Sequence, residues 1–229
     1  MGFILLEGGA EFGGKMALPD HRALAVSGGP DARLSIIPAA AAPDNNHLQA
    51  GQRGVRWFQN LGATHVTALP LIDQASANEK DVAEALARSR FIYMLGGFPH
   101  HLAQTLMGSI SWQAILAAYQ DGAVVAGSSA GAMVLCGYYY DPAEKKVKKG
   151  LNLIPGACVL PHHNTSGQSW ATQLEQDLPD ILLIGIDEET GMINDGPECQ
   201  WQIYGKGAVT LYRHHKCRRY SLNETFTLN

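Results

Sequence analysis

The chain is poor in several things that would announce a function class. Its four cysteines (Cys136, Cys158, Cys199, Cys217) lie far apart and form no CxxC, so neither a zinc knuckle nor a disulfide scaffold is suggested. Reduced thiols of that kind fit a cytoplasmic protein. No apolar run approaches the ~18 residues that span a bilayer, which argues against a membrane partner. The opening MGFILLEGGAEF has no basic start and meets an acid at Glu7, so it reads as a strand rather than a secretion signal. No broad basic stripe occurs. The net charge is −4, and the one dense basic run, Lys145 to Lys149, is short, so nucleic acid is not expected as a partner. Most unusual is a gap: between Lys149 and Lys206 there is no lysine or arginine, while Glu175, Asp177, Asp180, Asp187, Glu188, Glu189, Asp195 and Glu198 fall in the same span.

What is present is a large core supply, 46% hydrophobic residues against 17% charged ones over 229 residues. Short apolar runs alternate with helix-like segments. Phe3–Leu6, Arg33–Pro38, His65–Leu71, Phe91–Leu95 and Ala123–Ala126 read as strands; 46–61, 78–88 and 100–120 read as helices, the last loosened at Gly108-Ser109. Near-continuous apolar strands in a βα alternation predict an α/β fold with a mostly parallel sheet and helices on both sides. Beyond residue 150, ILLIGI (181–186) reads as another buried strand, followed by antiparallel strands or hairpins to the C-terminus. DPAEKKVKKG (141–150) reads as an exposed loop, and with no clear linker residues 1–229 are expected to form a single domain.

Ligand sites of such sheets lie at the C-terminal strand ends, here marked by Gly8-Gly9, Gly96-Gly97, Gly127 and the acidic Asp187-Glu188-Glu189. The segment VVAGSSAGAM (124–133) matches a nucleophile elbow, GxSxG, centred on Ser129. A strand passes into a helix with almost no loop. The central side chain is therefore thrown outward, and its neighbours must be small. The helix N-terminus offers free amides, which makes the Ala130 N–H a natural oxyanion donor. Ser128 fits the pattern worse, since centring on it would require glycine at 126 and 130. A reactive serine needs a base and an orienting acid. Nine histidines are available, six of them in the pairs His100-His101, His162-His163 and His214-His215. The lone His21, His47 and His65, and the pair His214-His215, read as structural or surface residues. Adjacent residues on a strand point opposite ways, so the pairs do not suggest a metal site, and neither metal nor cofactor is expected.

GSSAGAMVL, then LPHHN (160–164), then GIDEETGMI (185–193) together resemble the serine peptidase family of dipeptidase E and cyanophycinase, which is related to the class I glutamine amidotransferases. GGAE (8–11) and LGGFPHHL (95–102) match as well, so the resemblance runs from Phe3 to about Tyr212. It implies a class I glutamine amidotransferase-like three-layer α/β sandwich with added C-terminal antiparallel strands. It implies Ser129 as nucleophile, His162 as base and Glu188 as third member, with Gly97 and Ala130 as oxyanion donors. Phe98, His163 and Asn164 are then the candidate substrate-binding residues. A small peptide is the expected substrate, cleaved at a peptide or isopeptide bond, and a homodimer is left open. An amidotransferase-like amide hydrolase and an inactive binding protein of the same fold are the alternatives.

Two departures bear on the substrate. The family usually carries a polar residue after the second glycine pair, where this chain has Gly97-Phe98-Pro99. It also typically offers arginine after the catalytic histidine, and that region here has none, leaving Arg53, Arg56 or Arg88 as possible sources of a carboxylate fork. Aspartyl specificity is therefore not carried over, and an apolar or basic substrate residue is equally compatible.

Overall fold

A computed structural model describes residues 1–228. Its first sheet has eight strands. Five run parallel, in the order β1 (Phe3–Glu7), β5 (Val124–Ser128), β4 (Phe91–Met94), β2 (Arg33–Ile37) and β3 (His65–Ala68). Beyond β1 the sheet continues antiparallel through β10 (Thr190–Ile193), β11 (Trp201–Gly205) and β14 (Thr225–Phe226). Every residue of β4 and β5 is buried, as expected of strands covered on both faces.

Alternation along these strands sorts the core into two halves. Leu5, Phe91, Tyr93, Val124 and Ala126 face α1 (Ala17–Val26) and α2 (His47–Asn60), meeting Ala23, Leu24 and Phe58. Ile4, Leu6, Ile92, Met94 and Val125 face the other way, into the larger cluster. That cluster is covered by α3 (Lys80–Ala87), α4 (Pro99–Leu106), α5 (Ile110–Gln120) and α6 (Ala130–Leu135).

A second sheet of six strands joins the same cluster. Its order is β13 (Lys216–Tyr220), β12 (Val209–Arg213), β9 (Leu182–Ile186), β8 (Ile154–Leu160), β6 (Cys136–Asp141), β7 (Lys146–Lys149). Strands β6, β8 and β9 are parallel, and the outer strands are antiparallel. Helix α7 (Ala171–Asp177) sets Ala171 and Leu174 on its outer face, against Cys158, Leu160 and Leu183. The mixed α/β sandwich with antiparallel C-terminal strands follows the expectation. Among the described residues, no helix is long and apolar enough to cross a membrane.

Several elements differ from the sequence reading. The segment 141–150 is not a plain loop: Lys146–Lys149 pairs with Cys136–Asp141 as a hairpin, because Tyr138, Tyr140 and Val147 pack against the α7 side of the second sheet. Lys148 is drawn into that hairpin by Asp141 and Glu144 at 2.9 and 2.7 Å. The third strand stops at Ala68, short of Pro70, which has no N–H to give a ladder. Strand β8 begins at Ile154 and runs through Pro155 and Gly156, residues that imitate a turn; beside them the pairing of β6 with β8 shifts register. Helices α1 and α7 were not expected either.

Candidate active site

Ser129 lies between the last residue of β5 and the first of α6, with φ 47° and ψ −108°. That conformation is disfavoured for a residue with a side chain and holds only where its surroundings leave no alternative. The Ser129 N–H donates to the Glu7 carbonyl on β1 at 3.0 Å, and its carbonyl accepts from Met133 at 3.0 Å. A Cβ on Gly127 would run into the backbone of Gly131, and one on Gly131 into the Met94 carbonyl. The small residues of the elbow are thus dictated by the approach of strand to helix. Ser128 is fully buried and its hydroxyl donates to Glu11 Oε2 at 3.0 Å, so it faces away from the nucleophile's position.

The other two members come from the second sheet. His162 follows β8 and adopts φ 50°, its N–H donating to the Gly8 carbonyl at 2.7 Å. Its carbonyl accepts from Thr165 at 3.0 Å and Gly167 at 2.9 Å, which closes the turn. Glu188 follows β9. Ser129 Oγ lies 3.0 Å from His162 Nε2, and His162 Nδ1 lies 2.9 Å from Glu188 Oε1. The three side chains form one hydrogen-bonded line, with His162 and Glu188 about one-third exposed (31% and 37%), so that substrate and water can reach it.

Beside the serine, the Gly96-Gly97 turn follows β4. Gly96 N–H donates to Glu11 Oε1 at 3.2 Å and Phe98 N–H to the Ala40 carbonyl at 2.8 Å. The intervening Gly97 amide, at φ 135°, has no protein acceptor among the described residues, and neither has the Ala130 amide. Phe98 is 39% exposed and caps the start of α4.

Two expected substrate residues take other places. His163 is 6% exposed; its Nε2 lies 2.8 Å from the Tyr212 hydroxyl and its Nδ1 3.4 Å from Asp187 Oδ1. The turned backbone at His162 sends the neighbouring ring into the second sheet, over Gly185, so His163 does not face the serine. Burial pushes the His163 ring below its ordinary pKa, and the Asp187 carboxylate opposes that shift. Asn164 Oδ1 accepts from the Glu188 N–H at 2.9 Å, and so holds the loop that carries Glu188. Asp187 accepts from Ala208 N–H at 3.0 Å and Arg219 at 3.2 Å, while Glu189 takes the Lys15 amide at 3.1 Å; both tie loops together.

Residues that the sequence reading passed over complete the floor. Glu11 bridges the elbow and the Gly96 turn, and its neighbours Ala10 and Phe12 both have positive φ, 60° and 62°, to aim it inward. Beneath it Glu7 and Asp20 are fully buried. The Tyr93 hydroxyl donates to Glu7 Oε2 at 2.5 Å and the Trp57 indole to Asp20 Oδ2 at 2.8 Å. Burial, with Asp20 nearby, pushes Glu7 well above the usual carboxylate range. Burial likewise raises Asp20 to about 7, opposed by the Trp57 and Glu7 hydrogen bonds. Both carboxyls are therefore held toward their neutral forms, because a dry site penalises the charge and nearby acids add to that penalty. The one signal for Glu7 was an acid ending an apolar strand. Among the described residues, no group of three or more His, Cys, Asp or Glu is placed to hold a metal ion.

The fold and site have relatives. A peptidase family S51 profile matches residues 4–200. A cyanophycinase of Geminocystis herdmanii is 30% identical over 221 residues, covering 91% of this chain and 79% of that protein. A cyanophycinase of Trichormus variabilis is 29% identical over 81% of this chain and 64% of its own length. Among solved structures, a peptidase from an acI-B1 actinobacterium superposes with TM-score 0.87 at 27% identity, over 100% of this chain and 97% of that one. A candidate peptidase E protein of Listeria monocytogenes shares the fold, with TM-score 0.67 at 19% identity over 90% of this chain and all of its own. With most of its length matched and the elbow, histidine and glutamate in one line, the chain belongs to peptidase family S51 and is by that membership a serine peptidase.

Proposed function

We propose that Ser129, His162 and Glu188 are the catalytic triad, and that they hydrolyse a peptide or isopeptide bond in a small peptide through an acyl-enzyme. The observation that carries this reading is the continuous relay, 3.0 Å from Ser129 Oγ to His162 Nε2 and 2.9 Å from His162 Nδ1 to Glu188 Oε1. His162 Nε2 takes the hydroxyl proton as Ser129 Oγ attacks the carbonyl carbon. Glu188 accepts from Nδ1–H, which sets the tautomer and stabilises the imidazolium that forms. The oxygen of the tetrahedral intermediate is held by the Gly97 and Ala130 amides, whose lack of a protein acceptor supports that role. His162 then protonates the leaving amine. Water, deprotonated by the same ring, attacks the ester and releases the acyl product and Ser129.

No thiol stands at the elbow for a cysteine-type amidotransferase. Burial keeps Cys136 well above the ordinary thiol range and raises Cys158 to about 12. Turnover of a dipeptide and isopeptide library, with Ser129→Ala as control, tests the proposal. A loss of about 10⁴-fold or more in kcat and of labelling by a serine-directed phosphonate is expected. Equal turnover by both forms would refute it.

A further inference from the structure

The Gly96-Gly97 turn borders two cavities, and Phe98 stands between them. The first, about 520 Å³, has a mixed lining that includes the charged Glu11, Asp44 and Arg53. The second, about 490 Å³, opens on the α4 side and shares Gly97 and Phe98 with the first. A wider space of about 800 Å³ beside β12 and β13 is lined by none of the triad residues.

The second cavity contains polar residues, of which His100, His101, Asp141 and Glu144 each already have a protein partner. His100 Nδ1 lies 2.9 Å from the Tyr139 hydroxyl, and His101 Nε2 lies 2.7 Å from the Ile72 carbonyl. Asp141 holds the Lys148 ammonium at 2.9 Å and the Ala143 amide at 3.0 Å; Glu144 shares the same lysine at 2.7 Å. The rest of the wall is the exposed ring of Phe98, the buried Pro99, Pro142 and the methyl of Ala143, with the Gln104 amide at the edge, and the lining is predominantly apolar. An aromatic ring that remains 39% exposed gains by being covered, in proportion to the apolar area removed from water. A charged side chain entering here would lose its hydration and find its counter-charges already paired.

The geometry points to this cavity as a subsite for an apolar side chain flanking the scissile bond. The assignment rests on the hydrolase reading of Ser129. If the substrate carbonyl is held at the Gly97 amide, then the adjoining residue, about 3.5 Å along the chain, lies within reach of the wall that Gly97 and Phe98 form. It also gives a use to Phe98-Pro99, where the family resemblance would place a polar group.

Dissociation constants on the Ser129→Ala protein test the subsite without relying on turnover. The probes are dipeptides with Ala, Ser, Leu, Phe, Lys or Asp placed in turn on the acyl and on the leaving side. Leu or Phe should bind at least about tenfold tighter than Ala or Ser in one of the two series. Ala143→Phe, which fills the cavity from the β6–β7 turn, should erase that preference, and so should Phe98→Ser. In the otherwise native protein, Ala143→Phe, at an exposed turn position, should leave the melting temperature near that of the parent, so that a lost preference is not a lost fold. Equal affinities in both series, a preference for Lys or Asp, or a preference surviving both cavity variants would overturn the subsite. Selective binding without labelling or turnover of the native protein would keep the subsite and overturn the hydrolase reading.

Discussion

The proposed nucleophile and its proposed partners are held by different means. The elbow is carried on the first sheet, with β5 and α6 buried throughout, and Ser129 itself has backbone bonds to both β1 and its own helix. His162 and Glu188 stand on turns beyond the second sheet, each about one-third exposed and held by a few hydrogen bonds. At the site, the two are joined by backbone hydrogen bonds, His162 N–H to the Gly8 carbonyl at 2.7 Å and Glu189 N–H to the Gly9 carbonyl at 3.3 Å. Serine placement is thus coupled to core packing, and base and acid placement to loop geometry. Damage to the first should cost stability, and damage to the second should cost rate alone.

The sharpest way to break that contrast is Glu188→Gln. The amide keeps the shape but cannot stabilise the imidazolium, so kcat should fall by about 10³-fold or more while the melting temperature stays within about 1 °C. A comparable drop in stability would show that the acid's loop is structural. On the other side, Gly131→Ala pushes a methyl into the Met94 carbonyl and should destabilise the fold by about 3 kcal/mol, read by urea unfolding. An unchanged midpoint would mean that the elbow has slack.

The buried acids under the elbow predict a pH effect. The Asp20 carboxyl, raised to about 7 by burial, stays protonated in the fold where an exposed aspartate is ionised. Its contribution to stability is therefore complete below the ordinary aspartate pKa and is lost as pH rises through about 7. Asp20→Asn should flatten the decline of melting temperature between pH 5 and 8, a difference of about 2 kcal/mol at the upper end. A parallel decline in both proteins would remove the pair from the account. The smallest effect is expected from Asn164→Ala, which frees the Glu188 amide: about a tenfold loss in kcat with unaltered stability. A loss confined to KM would return Asn164 to the substrate.

Much of the site could be read along the chain because strand-to-helix turns leave a local mark. GSSAG needs small residues where β5 meets α6, and a short-range steric demand is written in adjacent letters. Strands β1, β2, β4 and β5 were equally plain, since burial on both faces demands unbroken apolar runs. The hairpin at 136–149 was hidden by five residues dominated by lysine, whose stems cover apolar surface while their charges stay in water. Strand β8 was hidden by Pro155-Gly156, and the inward turn of His163 by a backbone choice at His162 that no periodicity reports.

The sequence alone determined the α/β class and the elbow, because each rests on neighbours a few positions apart, while the candidate relay partners His162 and Glu188 came only from the family resemblance of LPHHN and GIDEE. Only the tertiary structure decided that two separate sheets carry the relay, that Glu11 ties the elbow to the Gly96 turn, and that Glu7 and Asp20 share a buried site. It alone also decided that Phe98 divides a charged cavity from an apolar one. Those facts depend on which surfaces are packed together and dried, and burial is a property of the whole fold.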